Sequence, residues 1–145
     1  MMLRRYLTES KKLLSVGIIL TDGDVFLAVH PTNKSFWDIP KGLQDSLESI
    51  EATLFREVWE ETNIKLVKYK NKLRPLGKFS YSKEKDIFAY LLKMDDLPPI
   101  NKMKCKSLTR MGFPEVDKWK YISFDKLGMF KPKMVTILRY ARNEI

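Results

Sequence analysis

The segment from about Ser46 to Thr62 constrains the fold more than any other. Apolar residues recur there at Leu47, Ile50, Leu54 and Val58, the spacing of a helix that lays one stripe against a core. On the same helix Glu57, Glu60 and Glu61 stand at i, i+3 and i+4, so three carboxylates project from neighbouring positions. Like charges at that spacing repel, and something has to offset the repulsion. Arg56 can neutralise part of it, with Glu60 at i+4. A hard divalent cation is a second means, because carboxylate and carbonyl oxygens suit magnesium or manganese. Glu48, just before or within the first turn, offers a fourth carboxylate. The bland alternative is a solvated acidic face, and the cluster alone does not decide between the two. Either Asp45 with Glu48 or Ser49 can cap the start. Asn63 follows the last turn, where a residue able to turn left-handed ends a helix.

The remaining chain predicts a sheet and a closing helix around this segment. Leu13 to Leu20 is a short apolar run rich in β-branched residues and reads as a buried strand. Asp22-Gly23 is a strong hairpin signal, and Val25 to Val29 returns antiparallel. A loop follows, from His30-Pro31 to Gly42. Leu73 to Tyr81 and Asp86 to Lys93 read as a strand pair joined by a charged turn, Ser82 to Lys85. Leu97-Pro98-Pro99 opens a long polar segment to Pro114 that carries Lys102, Lys104, Lys106 and Arg110, and a stretch of this length invites a lid reading. Trp119 to Phe124 is a further strand. Pro132 suits a first helical turn, with Met134, Ile137, Leu138 and Ala141 as the core face of a C-terminal helix.

Composition narrows the class. At 145 residues the chain is one domain long and able to bury a core, and no repeat or linker divides it, so residues 1–145 are expected to form a single domain. Cys105 is the only cysteine, which excludes an internal disulfide framework and fits a reducing compartment. The longest apolar run is too short to cross a bilayer, and Met1 to Tyr6 lack the features of a secretory signal, so a soluble, cytoplasmic protein is expected. The net charge is +9, unevenly spread: residues 1–63 carry −3 and residues 64–145 carry +12. An acidic front half joined to a basic back half fits one surface for cations and another for anions, once the acidic residues form a site.

The full spacing across Gly42–Ile64 carries more weight than the charges. Gly42, five residues, Glu48, seven residues, then Arg56-Glu57-Val58-Trp59-Glu60-Glu61-Thr62-Asn63-Ile64 resembles the Nudix box, G-x5-E-x7-R-E-U-x-E-E-x-G-U with U a bulky apolar residue. Every position agrees except the last glycine, where Asn63 is the next best tolerated residue in a left-handed helix end. The resemblance spans roughly Leu13 to Asn143. It implies an α/β fold, an α/β/α sandwich around a mixed sheet with a loop–helix–loop box, and hydrolysis of a nucleoside diphosphate linked to another moiety. Carried onto this chain, it makes Glu57, Glu60 and Glu61 metal ligands, Glu57 also a candidate base, and the Gly42 carbonyl a further ligand. Arg56 would orient the carboxylates through Glu48. The implied cofactor is Mg2+, with Mn2+ as a substitute.

Flanking residues point to a branch. Trp37-Asp38-Ile39-Pro40-Lys41-Gly42 resembles the W-x-x-P-K-G stretch of diadenosine polyphosphate hydrolases. Pro114-Glu115-Val116-Asp117-Lys118-Trp119-Lys120-Tyr121-Ile122-Ser123 is similar to the P-E-F-D-x-W-R-W-V-S stretch of bacterial dinucleoside polyphosphate hydrolases and RNA 5′-pyrophosphohydrolases, which gives Glu115 the role of extra metal ligand or base. The implied partner is a nucleotide polyphosphate, with an RNA 5′ end next. Nucleoside triphosphate hydrolysis, ADP-ribose hydrolysis and a catalytically silent nucleotide- or RNA-binding fold are the alternatives. Lys41, Lys83 and Lys85 are candidates to hold phosphates, and Tyr81 and Tyr121 to stack on a base, against the bland readings of solvated lysines and core aromatics. Trp37 is expected beneath the box loop, His30 in a turn, and Cys105 to take no catalytic part.

Overall fold

The computed structural model describes residues 12–145, so the expectation for Met1 to Tyr6 lies outside the described residues. In chain order the elements are β1 (Leu13–Thr21), β2 (Val25–Pro31), β3 (Lys41–Leu43), α1 (Ile50–Thr62), β4 (Arg74–Ser80), β5 (Lys85–Lys93), β6 (Val116–Ser123) and α2 (Pro132–Asn143). Two 3-10 segments, Leu66–Lys72 and Ile100–Lys102, bridge the longer connections. The sheet runs β4-β5-β1-β2-β6, with β3 paired to β1 off that path. Among the described strands β1 and β5 pair in parallel, and the other strand pairings are antiparallel.

Alternation along the strands divides the core between two helices. Val16, Ile18 and Leu20 of β1 pack with Leu27, Tyr90 and Leu92 against Leu54 and Val58 of α1. Ile19 packs with Phe26, Ala28, Ile87, Ala89 and Leu91 against Met134, Ile137, Leu138 and Ala141 of α2. The mixed sheet is therefore sandwiched, with α1 on one face and α2 on the other. Among the described residues no helix is long and apolar enough to cross a membrane.

The hairpin at Asp22-Gly23 closes as its residues dictate. Gly23 takes φ +110°, Thr21 Oγ1 accepts its N–H at 2.8 Å, and Asp22 accepts the N–H groups of Asp24 and Val25 at 2.9 and 3.0 Å. Beyond Thr21↔Phe26 the two strands part. The gap is filled by residues 38–43: Asp38 exchanges backbone hydrogen bonds with Val29, Ile18 donates to the Pro40 carbonyl, and Val16 lies opposite Gly42. A strand as short as β3 carries no readable periodicity, which is why residues 30–42 read as a loop from sequence and β3 emerges only in the structure.

Gly17 makes the insertion possible. A Cβ there would stand 2.8 Å from Lys41 Cβ and 2.9 Å from Ile39 Cδ1. Gly17→Ala is therefore expected to push β3 off β1 and to cost about 1–3 kcal/mol in denaturant unfolding, as overpacking does. An unchanged midpoint would show that β3 moves freely.

Four expectations need correction. Leu47 is 99% exposed and precedes the helix, because Ser49 is the cap: its Oγ accepts the Ala52 N–H at 3.1 Å. His30 belongs to β2, not to a turn; its ring nitrogens lie 2.6 Å from Asp117 Oδ1 and 2.8 Å from the Lys34 carbonyl. The last strand begins at Val116, since a register shift at His30/Pro31 carries the β2–β6 ladder past Trp119. The 97–114 segment is partly ordered, by its 3-10 turn and by a bridge between Leu108 and Pro114.

Candidate active site

Asn63 ends α1 with φ +70°, its N–H donating to the Trp59 carbonyl, so asparagine does at this position what a glycine would. The helix then presents Glu57 and Glu61 toward β3, with Glu60 beside Arg56. Arg56 sits among them. Its Nε and Nη2 grip both oxygens of Glu48 at 2.7 and 2.8 Å, Nη1 donates to Glu57 at 2.6 Å and reaches Glu60 at 3.4 Å, and Nη2 also donates to the Leu43 carbonyl. A planar fork is what lets one side chain hold three carboxylates and a backbone carbonyl at once.

Gly42 lies directly against Glu57. A Cβ at position 42 would stand 1.9 Å from Glu57 Cδ, inside the carboxylate itself. Glu61 is 7% exposed, and its Oε1 accepts the Lys41 N–H at 3.2 Å. Burial, then the charges of Glu60 and Glu115, raises the Glu57 carboxyl above its usual range despite Arg56. Burial, and after it the charge of Glu60, likewise raises Glu115. Burial holds Glu61 well above the carboxylate range, with Glu57 and Asp38 adding to it. These carboxylates thus feel one another, although they come from α1 and from the far end of the 97–115 connection.

The donor set that could hold a cation is oxygen only: the Gly42 carbonyl and the carboxylates of Glu57, Glu60, Glu61 and Glu115. That chemistry suits magnesium or manganese, and the mutual repulsion of the carboxylates is what a divalent charge would relieve. Among the described residues no three acidic, histidine or cysteine side chains already close on one metal position. Glu57 is held through Oε1 by Arg56 at 2.6 Å.

A second, basic cluster adjoins the acidic one across β3. Lys41 Nζ lies 3.0 Å from Asp38 Oδ2. Burial works against the Lys41 ammonium, but Asp38, with Glu61 and Tyr81 beyond it, holds its pKa above the usual value. Lys85 is half-buried 5.4 Å over the Tyr81 ring; burial, then the charges of Lys41 and Lys131, lower its pKa. Lys41 and Lys85 therefore both feel the charge of Asp38, and Lys131 adds a third ammonium that acts on Lys85.

The NUDIX domain matches residues 11–141 of the chain. The chain belongs to the Nudix family. Similar solved structures include the bifunctional NMN adenylyltransferase/ADP ribose pyrophosphatase of Francisella tularensis with AMP and a Mn ion, at 19% identity and a TM-score of 0.75. That match covers 97% of this chain and 44% of the other, so this chain spans less than half the length of the bifunctional protein. The NUDIX domain of Shewanella oneidensis NrtR, complexed with ADP ribose, shares 20% identity with a TM-score of 0.70 and 97% coverage of both chains. The MutT protein of Methanosarcina mazei Go1 shares 21% identity with a TM-score of 0.66, covering 93% of this chain and 97% of that one. No curated protein matches the chain. At these identities the likeness is one of fold, and it agrees with the six-stranded mixed sheet between two helices seen here.

As a member of the Nudix family the chain gathers most of its expected site residues. Glu48, Arg56, Glu57, Glu60, Glu61, Gly42 and Glu115 share one acidic neighbourhood, and Lys41, Lys85 and Tyr81 share the adjoining basic one. Lys83 does not join them; it is exposed in the β4–β5 turn, whereas Lys85 opens β5 and is registered opposite Leu13. Trp37 packs on the α2-side core beside His30, ring centroids 5.3 Å apart. Tyr121 packs on the α1-side core and its hydroxyl donates to the Pro98 carbonyl, so it is a core residue. Two residues escaped the sequence reading. Asp38 is buried and pairs with Lys41, and Lys131, lying 4.2 Å over Phe36, arrives from just before α2. Asp38 lies inside the W-x-x-P-K-G stretch and was visible there; nothing local marks Lys131.

Glu48 supplies a pH prediction. Its hydrogen bonds from Arg56, assisted by the Asp45 N–H and the Thr53 hydroxyl, hold its carboxyl down at about 2 from an ordinary 4.5. A depressed carboxylate stabilises the fold above its unfolded value and loses that contribution as pH falls through the folded one. The thermal midpoint is therefore expected to fall between about pH 4.5 and 2, and to fall less steeply in Glu48→Gln. Parallel curves for the two proteins would remove Glu48 from the account.

Proposed function

We propose that this Nudix hydrolase is a divalent-metal-dependent pyrophosphohydrolase that cleaves a phosphoanhydride bond in dinucleoside polyphosphates of the diadenosine tetraphosphate type. The observation that carries the reading is the adjacency of two opposite clusters, the carboxylates of Glu57, Glu60, Glu61 and Glu115 and the ammonium groups of Lys41 and Lys85 beside Asp38. A metal-bound polyphosphate needs both. The Gly42 carbonyl with Glu57, Glu60, Glu61 and Glu115 would hold Mg2+, or Mn2+ in its place. Bound there, the metal supplies charge neutralisation and a lowered pKa of water. Glu57 or Glu115, with carboxyls that burial raises above their usual range, takes the proton of the attacking water. Arg56 keeps the carboxylates aimed, and Lys41 and Lys85 hold phosphates beyond the one attacked, with Tyr81 beside them. The reading places residues 1–145 in one catalytic domain acting in the cytoplasm.

The second reading is ADP-ribose hydrolysis, favoured by the Francisella protein's name and the Shewanella domain's ligand. RNA 5′ ends and nucleoside triphosphates share the same charged group and come after it. A silent binding fold is disfavoured, since a pure binder of anions gains nothing from clustered glutamates. Turnover of diadenosine tetraphosphate, ADP-ribose, nucleoside triphosphates and triphosphorylated RNA in magnesium decides among them. A higher kcat/KM for diadenosine tetraphosphate than for ADP-ribose is expected, with the gap narrowed by Lys41→Ala and Lys85→Ala. If ADP-ribose is best and the lysine changes leave the ranking untouched, the dinucleoside assignment is wrong while the Nudix assignment stands.

A further inference from the structure

A cleft of about 670 Å³ opens beyond the C-terminal end of α1, and it shares no residue with the carboxylate cluster. Its size is that of a small-molecule site. Lys65, Lys68 and Lys102 line it, opposed by the single carboxylate of Asp96. Its apolar part is made by Tyr69, Leu97 and Met103, which belong to the core on the α1 side of the sheet. The cleft therefore joins an excess of cations to an apolar surface that includes an aromatic ring.

Its walls are tied together. Asn63 Nδ2 donates to the Lys102 carbonyl at 3.3 Å, the Lys104 N–H donates to the Thr62 carbonyl, and the Tyr121 hydroxyl fixes Pro98. The carbonyls at the negative end of the helix are occupied as well: Trp59 O accepts from Asn63 N–H, Glu60 O from Lys106 N–H and Thr62 O from Lys104 N–H. The helix end consequently presents fewer bare acceptors to repel an anion. More positive charge stands nearby. Lys106, 4.5 Å over the Trp59 ring, has its pKa lowered by loss of hydration and then by Lys104 and Lys65.

We propose that this cleft is a second ligand site, separate from the hydrolytic one, for a nucleoside polyphosphate whose phosphates meet Lys65, Lys68 and Lys102 and whose base lies on Tyr69, Leu97 and Met103. Stacking on an aromatic face tolerates any base, whereas the lysines require charge. Affinity should thus rise from adenosine to inorganic tripolyphosphate to ATP, and fall with salt.

The test uses the full chain in a chelator, so that no metal-dependent binding at the carboxylates contributes. Amide chemical shifts are followed while ATP, tripolyphosphate or adenosine is added, and the same titrations are run on the triple variant Lys65→Ala, Lys68→Ala, Lys102→Ala. Saturable ATP shifts in residues 65–69 and 97–103 are expected, with affinity there weakened about tenfold or more in the variant, since three exposed charge contacts are lost. Retained hydrolysis by the variant at saturating substrate shows that the fold and the hydrolytic site are intact. ATP shifts confined to residues 38–43 and 81–85, an unweakened variant, or adenosine binding as tightly as ATP would each overturn the proposal.

Discussion

Glu57→Gln and Glu60→Gln are each expected to lower kcat by about 10²–10³, the loss seen when a preorganised electrostatic group is removed from an active site. Glutamine keeps the side-chain volume and one oxygen but surrenders the charge that a hard cation prefers. The fold should survive. Burial and neighbouring carboxylates raise the Glu57 carboxyl, so its charged form is disfavoured in the native protein, and a neutral replacement forfeits little stability at neutral pH. Magnesium should raise the thermal midpoint of the wild type by binding the native state, and raise it less in either variant. A combined result of lost turnover, retained midpoint and reduced magnesium stabilisation separates a ligand from a structural residue. Wild-type turnover by both variants at limiting magnesium would sink the metal assignment.

Local chemistry made much of this fold legible. Asp22-Gly23 marks a hairpin whose turn the same two residues build, and Pro132 marks the first turn of a helix whose four predicted core residues are all buried. The box helix is legible because its two stripes serve different partners, Leu54 and Val58 the sheet and the glutamates the site. Leu47 shows the limit. It satisfies the helical period, but Ser49 captures the Ala52 N–H and starts the helix beyond it, and periodicity alone does not see a cap. What the sequence left hidden depends on long-range pairing. β3 has three residues, and its place is set by the parting of β1 from β2 and by the missing side chain of Gly17. Lys83 and Lys85 look alike in a charged turn; only the β1–β5 register puts Lys85 beside Lys41 and leaves Lys83 in solvent. Lys131 joins that group from the last connection of the chain, a juxtaposition of separate elements that no motif records.

Arg56→Ala is expected to be the most destabilising change at the site, by about 2–4 kcal/mol, because it leaves several partners without their donor. Its guanidinium is the one group that binds Glu48 with both oxygens, Glu57, Glu60 and the Leu43 carbonyl together. Arg56→Lys should recover little, since an ammonium cannot reproduce the two parallel bonds to Glu48 while also reaching Glu57. Turnover should fall in both variants, because Glu57 and Glu60 lose the cation that aims them. The discriminating measurement is a double-mutant cycle with Glu48→Ala, read by denaturant unfolding. Removing Glu48 as well takes away one of the orphaned charges, so the double variant should be less destabilised than the two single changes would give by addition. Additive costs would mean that Arg56 and Glu48 act independently, and the anchoring of the box helix to the loop before it would need another cause.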